Sequence, residues 1–313
     1  MPGPLVIVNP SAGGGRAGRL TAWLAERLLR IRDGELALTR ERGHATTLAR
    51  QAAADGRDRI VGVGGDGTIQ EIVEGVIGAP SPPSVGIVPA GRGNDLARSI
   101  GLPREREEAW RVALAGDPRP LDVGRATSGN PGRTQPAGGV RHFVSAGGIG
   151  FDAQVALAMS RRRRWQHGSM GYLLTVLDEL RHFENRSVRL TIDGEAPRDH
   201  VAFLLAITNG SYYGAGMRIC PEARPDDGWL DICLVGDISW RTAVAQLPNL
   251  YRGRHVTHPA VTMLRARRVR VDGGGEALAH LDGEPFGSLP VEIEVVPGAV
   301  DVAVALPPAR ATT

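Results

Sequence analysis

Three times before residue 100, a short apolar run empties into a glycine-bearing loop and then into a helical pattern. "LVIV" (5–8) leads into "NPSAGGGRAG" (9–18), "RIVGV" (59–63) into "GGDGT" (64–68), and "SVGIVPA" (84–90) overlaps "PAGRGNDLAR" (89–98). Continuous apolar runs bounded by turn residues are the signature of strands buried on both faces, as in a parallel sheet. In "RAGRLTAWLAERLLRI" (16–31), Leu20, Trp23, Leu24, Leu28 and Ile31 share one helical face. "ELALT" (35–39) reads as a second strand and "HATTLARQAAA" (44–54) as a second helix. Ile69, Ile72, Val73, Val76 and Ile77 then recur at helical spacing, and two more helical patterns lie near 94–100 and 104–115. This alternation predicts an α/β fold: an open, doubly wound parallel sheet with helices on both faces.

Past Leu121 the rhythm changes. "TSGNPGRTQPAGG" (127–139) reads as a turn-rich, mobile loop. Strand candidates follow at 141–146, 186–193, 199–208, 229–235, 267–272 and 290–296, several alternating apolar with polar residues as half-buried antiparallel strands do. Helical patterns near 151–160, 169–182 and 239–250 interrupt them. The expectation is an α/β domain over 1–122 and a β-rich, β-sandwich-like domain over 123–297. The tail, about 298–313, is expected to pack back on the first domain.

All 37 basic residues are arginine. Without a lysine there is no P-loop lysine, no protein-kinase strand lysine and no Schiff base, so phosphate charge falls to arginine, backbone N–H groups or metal. A formal charge of +3 is too balanced for a nucleic-acid binder driven by bulk charge. Two cysteines, Cys220 and Cys233, fit a reducing cytoplasm better than a disulfide framework. The longest clean apolar run, "VAFLLAIT" (201–208), is far short of the roughly 20 residues of a spanning helix. The expected location is therefore cytoplasmic, at most peripheral to the inner face of the membrane.

Ligands on open α/β sheets bind at the carboxyl ends of the strands, where all three glycine loops fall. Glycines let backbone N–H groups approach a phosphate, and a helix N-terminus adds a field that favours anions. Asp66 repels phosphate directly, so its place in "GGDGT" makes sense if it holds Mg²⁺. The alternative for this stretch alone is a tight strand-to-helix turn with Asp66 as a local cap. Three converging loops are harder to explain as turns.

"NPSAGGGR", "GGDGTIQE" and "PAGRGNDLAR" resemble the bacterial diacylglycerol-kinase-like family of soluble lipid kinases, which also includes sphingosine kinases. "GGIGFDAQV" (147–155), "NGSYYGAGMRICPEARPDDGWLDI" (209–232) and "LDGEP" (281–285) continue the resemblance in order over nearly the whole chain. It implies ATP lying across the three loops, with Asn9, Pro10, Ser11, Ala12 and Gly13 along the phosphates and Thr39 against the nucleotide. Gly65, Asp66, Gly67, Thr68, Ile69, Gln70 and Glu71 would form the central phosphate loop. Gln70 stands where the family usually has asparagine, and Arg92 where it often has threonine; Arg92 could supply the charge no lysine provides. Asp95 and Asp122 would belong to the polar network around metal and nucleotide, Asp95 alternatively capping its helix and Asp122 alternatively an interdomain hinge.

Glu284 would be the general base that takes the proton from a lipid hydroxyl, with Asp282 as its structural partner. A structural Mg²⁺ would bind the Asp227 side chain and the backbone oxygens of Arg224 and Trp229; taken alone, "DDG" is an ordinary turn. His44 and His280 have no visible catalytic partner and read as structural or surface residues. "RRRRWQHG" (161–168) is either a solvated helix end or a membrane contact, with Trp165 suited to the interface.

The expected activity is ATP- and Mg²⁺-dependent phosphorylation of a diacylglycerol-like or sphingoid-like lipid, whose head enters a cleft between the domains. An NAD kinase shares "GGDGT" but does not account for "PAGRGNDLAR". A non-catalytic nucleotide- or lipid-binding protein would need a broken catalytic carboxylate, and Asp66 and Glu284 are both present. The expected partner is a lipid at a membrane surface and no nucleic acid. Oligomeric state is open, a homodimer being compatible with it.

Overall fold

The computed structural model describes residues 2–130, 139–161, 176, 178–273 and 278–305. The chain forms two compact units. The first comprises the chain up to Val123 with the segment that begins at Pro297, and the second is Gly124–Val296.

The first unit runs β1 (Leu5–Val8), α1 (Thr21–Leu28), β2 (Glu35–Leu38), α2 (His44–Ala54), β3 (Arg59–Gly64), α3 (Asp66–Val76), β4 (Ser84–Pro89), α4 (Asp95–Ser99) and α5 (Arg106–Ala115), and then enters β5 (Asp117–Asn130). The four strands are parallel in the order β4-β3-β1-β2. Leu5 lies beside both Glu35 and Ile60, and Val63 beside Val88. Alternate side chains explain the helices on both faces. Val6, Val8, Val61 and Val63 share one cluster with Leu24 and Leu28 of α1 and Trp110 and Ala113 of α5. Between Val61 and Val63, a Cβ on Gly62 would point the other way, 2.7 Å from Ile69 and Ile72 of α3. The order of the strands reverses between β1 and β3, the position at which open α/β sheets hold their ligands.

The segment from Pro297 adds to this sheet, Val302 pairing in parallel with Val85. Asp122 Oδ1 fixes its entry by accepting the Gly298 N–H at 2.8 Å. The helix expected over 16–31 is shorter than its apolar stripe: Gly18–Leu20 is a 3₁₀ turn and α1 starts at Thr21.

The second unit continues with β6 (Val140–Phe143), β7 (Ala146–Gly150), α6 (Phe151–Arg161), β8 (Arg186–Ile192), β9 (Arg198–Ala202), β10 (Leu204–Thr208), β11 (Leu230–Val235), α7 (Trp240–Arg252), β12 (Val261–Ala266), β13 (Arg268–Gly273), β14 (Leu278–Leu281) and β15 (Glu284–Val304). One antiparallel run is β12-β11-β10-β7-β14-β15, and β13, paired with β15 further along at Val291–Glu294, carries β8 and then β9. Ala126, Phe143, Leu190, Leu205, Ile232, Val269, Leu281 and Ile293, from eight different strands, meet in one core. On the opposite side of β10 and β11, Leu204, Ala206 and Cys233 pack with Phe151 of α6 and Ala243, Val244 and Leu250 of α7. The β-rich, sandwich-like reading therefore holds.

Three expectations change. The run expected over 199–208 is two strands broken at Phe203, whose N–H turns to Val235 O at 2.9 Å. The strand expected over 290–296 is the middle of a 21-residue strand, Glu284–Val304. Residues 127–130 of the expected loop belong to β5, while 131–138 lie outside the described residues, as do 162–168 of the arginine-rich run.

Candidate active site

In the first unit the three glycine loops come together, and the packing shows why the sequence is glycine there. A Cβ on Gly13 would sit 2.2 Å from Ala90 O, and one on Gly91 would sit 2.4 Å from the Gly65 Cα. Both neighbours are backbone, so neither can move aside as a side chain could. Gly13, Gly14 and Gly15 also hold φ of 61°, 71° and 89°, the left-handed region that L side chains avoid.

Polar contacts lock the loops to each other. Asn9 Nδ2 donates to Thr68 Oγ1 at 3.0 Å, while Asn9 Oδ1 accepts from Ser11 N and Oγ at 3.2 and 2.8 Å. Arg16 Nη2 donates to Gly91 O at 2.8 Å, and Ala90 N to Gly64 O at 2.7 Å. Asn94 closes its own loop, accepting from Gly91 N at 2.8 Å and donating to Gly91 O at 3.2 Å. Thr39 follows β2 at the same edge, its N–H on Val8 O at 2.9 Å. Arg92 is exposed, with Nη2 3.7 Å from the place of a Cβ on Gly14.

Asp66 is half-buried at the start of α3. Its Oδ1 accepts from Asp95 N at 2.6 Å and Leu96 N at 3.2 Å, so it caps α4 and not its own helix. Burial pushes its carboxyl above the ordinary value, and those N–H groups oppose the rise. Asp95 is buried at the first position of α4.

The rest of the predicted phosphate loop turns inward along α3. Ile69 and Gln70 are buried, and Glu71 Oε1 and Oε2 accept from Gly43 N at 2.9 Å and Ala45 N at 3.1 Å, capping α2. Their side chains serve the framework of the loop cluster. His44 accepts the Arg40 N–H at 3.1 Å, a local turn contact.

In the second unit Glu284 follows a tight β14–β15 turn in which Asp282 and Gly283 hold φ of 48° and 79°. Asp282 anchors the turn: Oδ2 accepts from Val144 N at 2.9 Å, and Oδ1 from Ser145 N and Ala146 N, each at 3.0 Å. Burial raises the Asp282 carboxyl, against the pull of those three N–H groups and of Arg141. Glu284 itself is ion-paired with Arg141 of β6.

His280 props the turn from beneath. Its Nδ1 accepts the Gly283 N–H at 3.3 Å, and its Nε2 lies 3.0 Å from Asp152 Oδ2, both side chains nearly buried. A Cβ on Gly148 would stand 2.0 Å from that carboxylate, so this glycine clears the pair's space.

In the "RPDDGWLD" turn the Asp227 side chain already has protein partners. Arg265 ion-pairs with Asp227, whose Oδ1 also accepts Trp229 N at 3.2 Å, and Arg224 lies 3.4 Å from Asp226. Trp229 sits under Arg267 and Arg265, at 4.6 and 5.5 Å. A cation at Arg224, Asp227 and Trp229 would compete with the Arg265 guanidinium for the one side-chain ligand. Among the described residues, no group of three or more His, Cys, Asp or Glu side chains could hold a metal ion.

Several of these contacts escape sequence reasoning. Nothing in "NPSAGGGRAG" directs Arg16 to the carbonyl of Gly91, 75 residues on. Nothing near Glu284 in the sequence points to Arg141, Asp152 or the N–H groups of 144–146.

Residues 4–126 match the family described as the diacylglycerol kinase catalytic domain, and residues 144–304 the YegS C-terminal NAD kinase beta sandwich-like domain. The chain is 32% identical to a diacylglycerol kinase of Mycobacterium tuberculosis (strain ATCC 25618 / H37Rv) over 298 residues, which is 95% of this chain and 93% of that protein. It is also 32% identical to a probable lipid kinase YegS-like of Chromohalobacter salexigens over 269 residues, 85% of this chain and 82% of that one. The crystal structure of a diacylglycerol kinase from Bacillus anthracis superposes with a TM-score of 0.71 at 25% identity, covering 98% and 97% of the two chains. Yeast NADH kinase shares the fold at a TM-score of 0.56 and 13% identity, covering 98% of this chain and 84% of its own.

Proposed function

This chain belongs to the diacylglycerol kinase family and is a lipid kinase, and from that premise we propose that it transfers the γ-phosphoryl group of ATP, with Mg²⁺, to a hydroxyl of a diacylglycerol-like or sphingoid-like lipid. The observation that carries the nucleotide half is the steric one. Gly13 and Gly91 are placed where a Cβ would collide with neighbouring backbone, and one on Gly65 would crowd the Gly91 Cα at 3.0 Å, leaving a side-chain-free cradle at the switch point of a parallel sheet.

In this reading Asn9, Pro10, Ser11, Ala12 and Gly13 line the phosphates, Gly65 to Gly67 supply backbone N–H groups, and Thr39 touches the nucleotide. Arg92 is an exposed cationic arm of the cluster beside Gly14, and meets phosphate charge. Arg16 and Asn94 hold the loops in register. The hard-oxygen carboxylates at this cluster are Asp66 and Asp95, which suit Mg²⁺. When bound there, the ion neutralises charge on the transferring phosphate.

Glu284 takes the proton of the attacking lipid hydroxyl, and the Asp282 anchor keeps its turn rigid during that step. No step runs through the 224–229 turn, where Arg265 holds the carboxylate.

The test is ADP release over a small panel of diacylglycerols and sphingoid bases, with NAD as control. Release that depends on lipid and on Mg²⁺ is expected. Release with NAD alone makes the protein an NAD kinase, and nucleotide binding without release makes it a binding protein. Asp66→Asn sharpens the metal role, since its amide oxygen can still accept from Asp95 N and Leu96 N. It should keep the fold and lose Mg²⁺-dependent turnover; unchanged metal dependence removes Asp66 from that role.

A further inference from the structure

Helix α7 is unlike the other helices of eight or more residues whose burial is described throughout, in that none of its thirteen residues is buried. It is held from one side only, by the partly buried Ala243, Val244 and Leu250. Its exposed residues are Trp240, Arg241, Ala245, Pro248, Tyr251 and Arg252. At roughly 100° per residue all six fall within one arc of about 140°. The outward face therefore contains two aromatics, two arginines, an alanine and a proline, with no carboxylate and no amide.

The surroundings extend the pattern. Trp240 and Tyr251 are the exposed aromatics among the described residues. Eleven positions apart, they stand about 16 Å from each other along the axis. Arg241 lies over the Trp240 ring at 5.4 Å, and Arg254 is exposed just past the helix end. Between Asp237 and Asp272 the chain has seven arginines and no acidic residue. Arg265, Arg268 and Arg270 are ion-paired and Arg267 covers Trp229, whereas Arg241, Arg252 and Arg254 have no ion pair among the described residues.

We propose that this face of α7 docks on an anionic lipid bilayer, with Trp240 and Tyr251 at headgroup depth and Arg241, Arg252 and Arg254 against lipid phosphates. Tryptophan and tyrosine favour the membrane–water interface, and arginines without acidic partners are attracted to a negative leaflet. Among the described residues no helix is long and apolar enough to cross a membrane, so the contact is peripheral. The inference goes beyond the catalytic reading, because docking needs no turnover.

The experiment is co-sedimentation of the full chain with vesicles of phosphatidylcholine, with and without phosphatidylglycerol, over a range of salt. The wild type should bind the anionic vesicles and release at high salt. Arg241→Gln/Arg252→Gln/Arg254→Gln should partition roughly 10²-fold more weakly. Trp240→Ser/Tyr251→Ser should weaken binding even at low salt. Both should keep the wild-type melting temperature and, on a short-chain acceptor dispersed in water, the wild-type rate, losing rate only on vesicles. Wild type that ignores anionic vesicles, or variants that bind as wild type does, overturn the proposal. So does a variant that turns a dimer into a monomer while vesicle binding persists, because the face is then a subunit contact. Vesicle binding without lipid phosphorylation sustains the docking face and removes the catalytic reading.

Discussion

Asp66 and Glu284 are both carboxylates offered for the same reaction, yet they are held by different kinds of chemistry. Asp66 is held by backbone: one oxygen on two N–H groups, inside loops whose closeness depends on glycine at Gly13, Gly65 and Gly91. Glu284 is held by a side chain, Arg141, on a turn pinned by a second carboxylate, Asp282. Backbone scaffolding fixes a shape, and nearly any added atom damages it. Side-chain scaffolding fixes a charge, and a substitution that keeps the charge can keep the function.

The largest expected effect tests the acceptor end. Glu284→Gln should lower turnover by roughly 10²–10⁴-fold. ATP affinity, measured by calorimetry, should stay at the wild-type value. Unchanged turnover takes Glu284 out of the proton transfer. Next comes the nucleotide end, where Gly91→Ala adds a single carbon 2.4 Å from the Gly65 Cα. The loops must separate, and misplacement of that size costs on the order of 10²-fold in turnover. Here ATP affinity should fall as well, which distinguishes the two ends. Wild-type nucleotide binding in Gly91→Ala would mean that the contact between loops is not what shapes the cradle.

The same contrast decides what could be read from the sequence. The glycine loops are legible because their constraint is local: a strand, a glycine, a helix start. So are the strands Leu5–Val8 and Ser84–Pro89, whose continuous apolar runs admit little else. Arg141 and Glu284 are 143 residues apart, and neither residue's neighbours announce the other. Phe203 illustrates the same limit in the fold. Its run "VAFLLAIT" is uniformly apolar, and only pairing of one half with β8 and the other with β7 and β11 breaks the strand there. Strand β14, four residues in a glycine-rich stretch, has too little pattern to see. The alternative for "GGDGT", Asp66 as a local cap, misses that the helix it caps starts 29 residues on.

If charge is what holds Glu284, Arg141→Lys should keep most activity and Arg141→Met should lose roughly tenfold in kcat with little change in KM for ATP. In a Glu284→Gln background Arg141→Met should cost nothing further, because the two act as a unit. Additive losses would make Arg141 an independent contributor.

The smallest effect concerns stability, and it tests how far a buried carboxylate in this unit needs its partners. Asp282 is half-buried with three N–H groups on its oxygens. Asp231 is buried with no hydrogen-bond partner on Oδ2 among the described residues, and its carboxyl is pushed from 3.8 up to about 6, by burial first and by Asp227 and Glu222 after it, against the pull of Arg265. The folded state therefore binds the proton more tightly than the unfolded chain. The stabilising contribution is complete below the unfolded value and is lost as pH rises through about 6. Solvent screening keeps the difference below the roughly 3 kcal/mol of the full shift. Asp231→Asn cannot ionise, so it should melt above the wild type near neutral pH, less whatever attraction to Arg265 it gives up. The gap should close as pH falls toward about 4. Melting temperatures of the two proteins across that range provide the check, and a gap that stays constant with pH would show that Asp231 does not carry the titration.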